Sequence, residues 1–205
     1  LENAGCTIIR GTARLVDPHT VEVDGRRLTA ANILVVTGSR PRVPAIPGGE
    51  LGVTSDQMFH LPALPERVVI SGGGYIAVEF AGILAGLGTH VTLVHRGHAV
   101  LRGFDEDIRQ ALGAAMVARG IDLQLDTTVD ALRKEGEAVI STLSDGTEVA
   151  ADLNLCAVGR VPNTRGLGLD EVGVKLDEAG AVVVDEDFRT SQPSIYALGD
   201  VINRV

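Results

Sequence analysis

Gly72, Gly74 and Ala77 stand in a Gly-x-Gly-x-x-Ala pattern, and that spacing suits one chemistry, the holding of a dinucleotide pyrophosphate. Gly72 allows a tight turn. Gly74 lets backbone approach phosphate oxygens closely, and Ala77 is small enough for a helix to pack on a sheet. The start of that helix then offers unpaired N–H groups and the positive end of its dipole to an anion. A tight turn without a ligand would use the same glycines, so the flanking elements must decide between the two.

Those elements are a strand, a glycine turn, a helix and a second strand. Val68-Val69-Ile70 is a short β-branched run, Tyr75 to Leu87 is an apolar helix, and Val91 to Val94 is the next β-branched run. Together they fill the span of about 30 residues of a dinucleotide-binding βαβ unit. An NAD site usually carries Asp or Glu at the end of the second strand, bonded to the ribose 2′-hydroxyl. Here His95 holds that place, followed by Arg96, His98 and Arg102. Loss of the acid and gain of cations suit a 2′-phosphate, and so NADP rather than NAD. A solvated basic loop is the plainer alternative.

Composition narrows the remaining possibilities. The chain has 205 residues, 45% of them hydrophobic, enough for a core built on Val, Leu, Ile and Ala, since Trp is absent and aromatics are scarce. A net charge of −9 argues against nucleic acid or an anionic membrane surface as partner. No apolar run approaches the ~20 residues of a membrane span, and no signal peptide is visible. The two cysteines, Cys6 and Cys156, form no CxxC pair, metal cluster or disulfide framework, and read as two reduced, buried thiols of a cytoplasmic protein.

Taken in order, Thr7 to Val16 reads as a strand or strand pair, and Thr20–Val23 and Arg26–Leu28 flank the hairpin turn Asp24-Gly25. Asn32 to Val36 reads as a buried strand running into Thr37-Gly38-Ser39. The proline- and glycine-rich stretch from Arg40 to Gly49 marks a boundary. Ser55-Asp56 suits the cap of a short helix reaching Leu61, and Ile108 to Arg119 has helical spacing, preceded by acids and ended by Gly120. Ile121 to Leu125 alternates as a strand. Ala131–Leu143 and Glu148–Ala150 flank the turn Asp145-Gly146, and Leu153 to Val158 reads as a buried strand. After a second loop boundary, Val161 to Gly168, come Val182–Val184 and a strand over Ser194–Leu198.

Several of these stretches resemble, in order and spacing, the glutathione reductase branch of the pyridine nucleotide–disulfide oxidoreductases. They are Gly74-Tyr75-Ile76-Ala77-Val78-Glu79, His95 to Arg102, Gly159-Arg160-Val161-Pro162-Asn163-Thr164 and Thr190 to Asp200, with Thr37-Gly38-Ser39 as a strand-end turn. The resemblance covers nearly the whole chain. It implies an α/β fold: a Rossmann-like, three-layer NADPH domain with a parallel sheet, helices on one face and an antiparallel β-meander on the other, flanked by partial FAD-domain segments. Residues 1–48 would end the first FAD segment, 49–160 would form the NADPH domain, and 161–205 would begin the second FAD segment.

The resemblance also implies roles. Gly72, Gly73, Gly74 and Ile76 would contact NADPH along its pyrophosphate, adenosine and nicotinamide half. Arg96 and Arg102 look like the 2′-phosphate clamp, with His98 nearby. Relatives often place Lys after the first Arg, where this chain has Gly97, so the clamp is one charge poorer. Tyr75 resembles the ring that covers the flavin until nicotinamide displaces it, and Glu79 the acid beside the nicotinamide. Its Lys partner belongs to a part of the family outside this chain, so Glu79 is expected to be water-exposed or to carry a raised pKa. Gly159 and Arg160 would line the nicotinamide path. Thr37, Gly38, Gly199 and Asp200 resemble the FAD side.

The implied activity is that of an NADPH-dependent flavoprotein disulfide reductase, with NADPH and FAD as cofactors, glutathione disulfide as substrate and a homodimer as the complete enzyme. The redox CxxxxC, the catalytic His and Glu and the dimerisation domain find no match here. None of His19, His60, His90, His95 and His98 fits the catalytic position. The polypeptide alone is therefore expected to be an inactive fragment, with no metal site. Dihydrolipoamide dehydrogenase would keep the acid at His95, and low-molecular-weight thioredoxin reductase would place its CxxC inside the nucleotide domain. Mercuric or trypanothione reductase stays open, as does a stand-alone NADP-binding module, against which the flavin-side motifs speak.

Overall fold

The computed structural model describes residues 2–203; Leu1, Arg204 and Val205, at the outer ends of the first and third expected segments, lie outside them. The chain divides into two units. One takes the described residues up to Arg40 and those from Val161 onward, and the other is Pro41–Arg160.

The first unit begins with an antiparallel meander, β1 (Ala13–Asp17), β2 (Thr20–Val23) and β3 (Arg26–Thr29), turned between β2 and β3 at Asp24-Gly25, where both residues have positive φ. β4 (Ile33–Val35) follows, then β5 (Ser39–Pro41), which leads out of the unit. The second unit opens with α1 (Ser55–Met58) and the βαβ element: β6 (Arg67–Ser71), α2 (Tyr75–Gly86) and β7 (His90–Val94). Then come α3 (Glu106–Ala118), β8 (Asp122–Gln124), the hairpins β9 (Val129–Glu135), β10 (Ala138–Leu143) and β11 (Glu148–Ala151), and β12 (Leu153–Cys156). β13 (Arg160–Pro162) leads back, and β14 (Ile195–Ala197) pairs parallel with β4, Ile195 opposite Ile33.

The second unit has three layers. Its central sheet is parallel throughout, in the order β12-β6-β7-β8. The two-residue period of a strand sends alternate residues of β6 to opposite faces. Val68 and Ile70 pack with Ala77, Ala81 and Leu84 of α2 and Met116 of α3. Val69, between them, packs with Leu143 and Ala151 of the meander β9-β10-β11. Both faces are covered, which is why this stretch is apolar throughout rather than alternating. Polar groups sealed between sheet and meander bond one another. The buried Asn154 donates from Nδ2 to Ser141 Oγ at 3.1 Å, and Ser71 Oγ donates to Asn154 Oδ1 at 3.4 Å.

Several local expectations need correction. The strand expected over Thr7 to Val16 exists only as Ala13–Asp17. Gly11 has a φ of +150° and breaks the line, and Ile8 and Ile9 before it are exposed. The strand expected over Asn32 to Val36 is confined to Ile33–Val35 and covered on one face, leaving Leu34 and Val36 exposed. Of the two cysteines read as buried, Cys156 is buried and Cys6 is exposed. Thr54, not Ser55, caps α1 through a reciprocal arrangement with Gln57, and the helix stops at Met58. The strand expected over Leu153 to Val158 ends at Cys156, and Val158 is exposed. Between Ala131 and Leu143 lies a second hairpin, turned at Gly136.

Residues 41–48, read from sequence as the end of the first segment, pack in the second unit. Leu132 of β9 donates its N–H to the Pro47 carbonyl at 2.8 Å, and a Cβ on Gly48 would lie 1.9 Å from the Leu132 carbonyl oxygen. No described helix is long and apolar enough to cross a membrane.

Candidate functional site

β6 ends at Ser71, and the chain turns through three glycines into α2. Each glycine meets a different environment. Gly72 has a φ of +136°, and a Cβ there would sit 2.2 Å from the Ala157 carbonyl oxygen. Gly73 is buried, and its Cβ would strike the His95 ring at 2.4 Å. Gly74 is exposed at the N-cap of α2, and a Cβ there would meet no protein atom within 4 Å. The first two glycines are demanded by the chain's own packing. The third leaves open space at a helix start.

That helix start is also unsatisfied. No side chain caps α2 and no acid stands in its first turn. α3 differs: Asp105 accepts from the N–H groups of Asp107 and Ile108, with Glu106 and Asp107 in the first turn. The bare end of α2 suits an external anion. Turn, open space and uncapped amides together fit a pyrophosphate.

The loop after β7 lies against this turn. Leu101 donates its N–H to the Gly73 carbonyl at 2.7 Å from a left-handed conformation, φ +53°. On the opposite side the loop is tied to the segment after β8, with Asp126 N–H donating to Gly97 O and Thr127 N–H to His95 O. Arg96 and Arg102 are exposed, and neither guanidinium makes a hydrogen bond or ion pair among the described residues. His98 is exposed, its Nε2 lying 3.6 Å from Glu106 Oε1. Two guanidiniums beside an uncapped helix start have the chemistry to take phosphate oxygens.

His95 stands where an NAD site would carry its acid. Burial, then the Arg96 guanidinium, hold its imidazole below the ordinary histidine range; Arg109 adds to this, while the Ala99 backbone and Asp126 oppose it. The unfolded chain therefore takes up the proton more readily than the folded one. Stability from this group is complete above its ordinary value of 6.5 and is lost as pH falls from there through the folded value. The melting temperature is expected to drop between about pH 7.5 and pH 5.5, and His95→Gln to flatten that drop. Parallel pH profiles of melting for the two proteins would contradict this.

Tyr75 opens α2 and is 57% exposed, with Ile76 half-buried beside it. Glu79 lies one turn further on and is exposed, the first of the two states expected for it. Gly159 has a φ of +123° and accepts the Arg42 N–H at 2.9 Å. Arg160 begins β13. In the other unit, Asn163 joins the Thr37-Gly38 turn through three bonds: Thr37 Oγ1 donates to Asn163 O, Asn163 Nδ2 to Thr37 O, and Asn163 N–H to Gly38 O. Asp200, next to Gly199, accepts from Ser39 Oγ at 2.9 Å. Among the described residues no group of three or more His, Cys, Asp or Glu could hold a metal ion.

Sequence reading passed over Arg109. Its signal was weak, because an Arg three residues after Glu106 on an amphipathic helix looks like half of a surface ion pair. It is in fact buried, and it reaches back to the loop between His95 and Arg102.

This geometry accompanies clear likeness to known proteins. Glutathione reductase of Burkholderia cepacia is 48% identical over 205 residues, which are all of this chain and 46% of that protein. The chloroplastic/mitochondrial glutathione reductase of Pisum sativum is 46% identical over 206 residues, again all of this chain and 37% of that protein. The chain thus spans less than half the length of these curated relatives. Among solved structures, the HOCl-induced flavoprotein disulfide reductase RclA from Escherichia coli superposes with a TM-score of 0.89 at 32% identity, over 97% of this chain and 46% of that one. The family profile described as pyridine nucleotide-disulphide oxidoreductase matches residues 1–205, and the chain belongs to that family.

Proposed function

We propose that residues 41–160 are the NADPH-binding portion of a flavoprotein disulfide reductase acting on glutathione disulfide. The observation that carries this is the uncapped start of α2, reached through Gly72-Gly73-Gly74 and bordered by a loop bearing Arg96 and Arg102 where an NAD site carries an acid. NADPH bound there supplies a hydride that FAD accepts in the complete enzyme.

Gly72, Gly73, Gly74 and Ile76 hold the pyrophosphate and the nicotinamide half. Arg96 and Arg102, with His98 beside them, hold the 2′-phosphate. Tyr75 covers the nicotinamide position and Glu79 flanks it one turn along the helix. Gly159 and Arg160 line the nicotinamide path. In the other unit Thr37, Gly38, Gly199 and Asp200 belong to the flavin side, with Ser39 orienting the Asp200 carboxylate. Identity of 48% to a glutathione reductase, against 32% to RclA, favours glutathione disulfide over other oxidants. A cytoplasmic homodimer is the form such an enzyme would take.

Calorimetric titration of the 205-residue protein with NADPH and NADH tests the reading. A folded protein that binds NADPH about 100-fold more tightly supports it. Equal affinity in a sample with a folded circular-dichroism spectrum sinks it.

A further inference from the structure

The loop from His95 to Arg102 carries the clamp cations, yet it lies outside regular secondary structure and includes a Leu at positive φ. Something must hold it. Part of the answer is backbone: Gly73 O accepts from Leu101, and the segment 124–127 is joined to His95 and Gly97. The rest comes from α3. Arg109 is 9% exposed, and all three of its side-chain nitrogens are engaged. Nε donates to the Val100 carbonyl at 2.8 Å, Nη2 to the Ala99 carbonyl at 2.9 Å and Nη1 to Glu106 Oε2 at 2.5 Å. The other oxygen of Glu106 lies 3.6 Å from His98 Nε2 and accepts from Gln110. One guanidinium thus grips two successive carbonyls of the loop and, through Glu106, its histidine.

We propose that Arg109 is a positioning residue for coenzyme choice: it sets the Arg96–Arg102 loop in its phosphate-receiving shape before NADPH arrives. The inference rests on the NADPH reading above and adds to it a residue whose three guanidinium nitrogens each donate to a protein oxygen. A planar fork spans two adjacent carbonyls, whereas the ammonium of a lysine is a point charge. A loop already in its bound shape avoids an ordering cost that would otherwise weaken binding.

The test is titration of the whole 205-residue protein and of Arg109→Gln, Arg109→Lys and Glu106→Gln with NADPH and with NADH. Arg109→Gln is expected to weaken NADPH about tenfold and leave NADH unchanged. Arg109→Lys should do the same, because charge without the fork does not hold both carbonyls. Glu106→Gln, which leaves both carbonyl bonds in place, should keep most of the preference. An unchanged NADPH-to-NADH ratio in the Arg109 variants overturns the proposal. So does equal weakening of both coenzymes, the mark of a merely structural role. If neither Arg109 variant folds, backbone ¹⁵N relaxation of residues 96–102 in the unsubstituted protein decides: order equal with and without NADPH supports the proposal, and a loop ordered only by NADPH overturns it. No NADPH preference in the folded unsubstituted protein overturns both this inference and the reading beneath it.

Discussion

Replacing Arg96 and Arg102 together with alanine is expected to weaken NADPH binding about 100-fold and to leave NADH binding nearly unchanged. Hydrogen bonds between ionised partners contribute about 1.5–3 kcal/mol each, so two guanidiniums on one phosphate carry roughly 3 kcal/mol or more. Both side chains are exposed and neither makes a hydrogen bond or ion pair among the described residues, and loss of the Arg96 charge only relieves its repulsion of a protonated His95, so their removal leaves no buried partner stranded. Stability should therefore move by less than about 0.5 kcal/mol. Screening gives a second handle. Contacts between exposed charges fade with salt, so NADPH affinity of the unsubstituted protein should fall with ionic strength more steeply than NADH affinity. Calorimetry at two salt concentrations checks both statements. Equal losses for the two coenzymes would show that the arginines act on something common to both, not on the 2′-phosphate.

The second large effect separates two glycines of the same turn. Gly72→Ala is expected to destabilise the protein by about 3 kcal/mol or more, because the new Cβ has neither a comfortable backbone nor a place to go. Its φ is +136°, and the atom it would meet at 2.2 Å is backbone, the Ala157 carbonyl, which cannot swing aside as a side chain does. Gly74→Ala is different. With φ at −79° and open space around its Cβ, it should cost no more than about 1 kcal/mol, the loss of a glycine N-cap. Yet its methyl group projects into the space assigned to the pyrophosphate, and NADPH and NADH affinity should both fall steeply. Urea unfolding and coenzyme titration of the two variants give the comparison. A Gly74→Ala protein that binds normally would mean that the nucleotide does not approach this backbone, and a Gly72→Ala protein of full stability would contradict the packing at Ala157.

These two experiments mark how far the sequence was legible. The βαβ element could be read from residue types, because strand and helix each leave a local period and the glycines between them have few other uses. Tyr75 to Gly86 forms the helix and His90 to Val94 the strand, within a residue of expectation. The fingerprint assigned Gly72 to the turn and Gly74 to the ligand, but it did not say that the Ala157 carbonyl closes over Gly72 or that the His95 ring requires a glycine at Gly73, since both partners come from elsewhere in the chain. The places of the strands were more legible than their ends, because a strand stops where its pairing partner does. The strand expected from Leu153 to Val158 ends at Cys156, opposite Ser71, the last residue of β6.

The sequence by itself determined the α/β class, the parallel core strands, the glycine turn and the replacement of an acid by His95 with arginines after it. All of these are local statements, settled by the period of side-chain burial and by which residue ends a strand. Only the tertiary structure decided that Val68 and Ile70 serve the helices while Val69 serves the meander, and that residues 41–48 pack with β9. It also decided that Arg109 turns inward onto Val100 and Ala99 rather than outward to water. The reason is that a charged side chain on a helix carries no mark of its burial in its own segment. Burial becomes tolerable only when carbonyls from a distant loop and a carboxylate arrive to satisfy every nitrogen, and that arrangement exists only once the chain has folded.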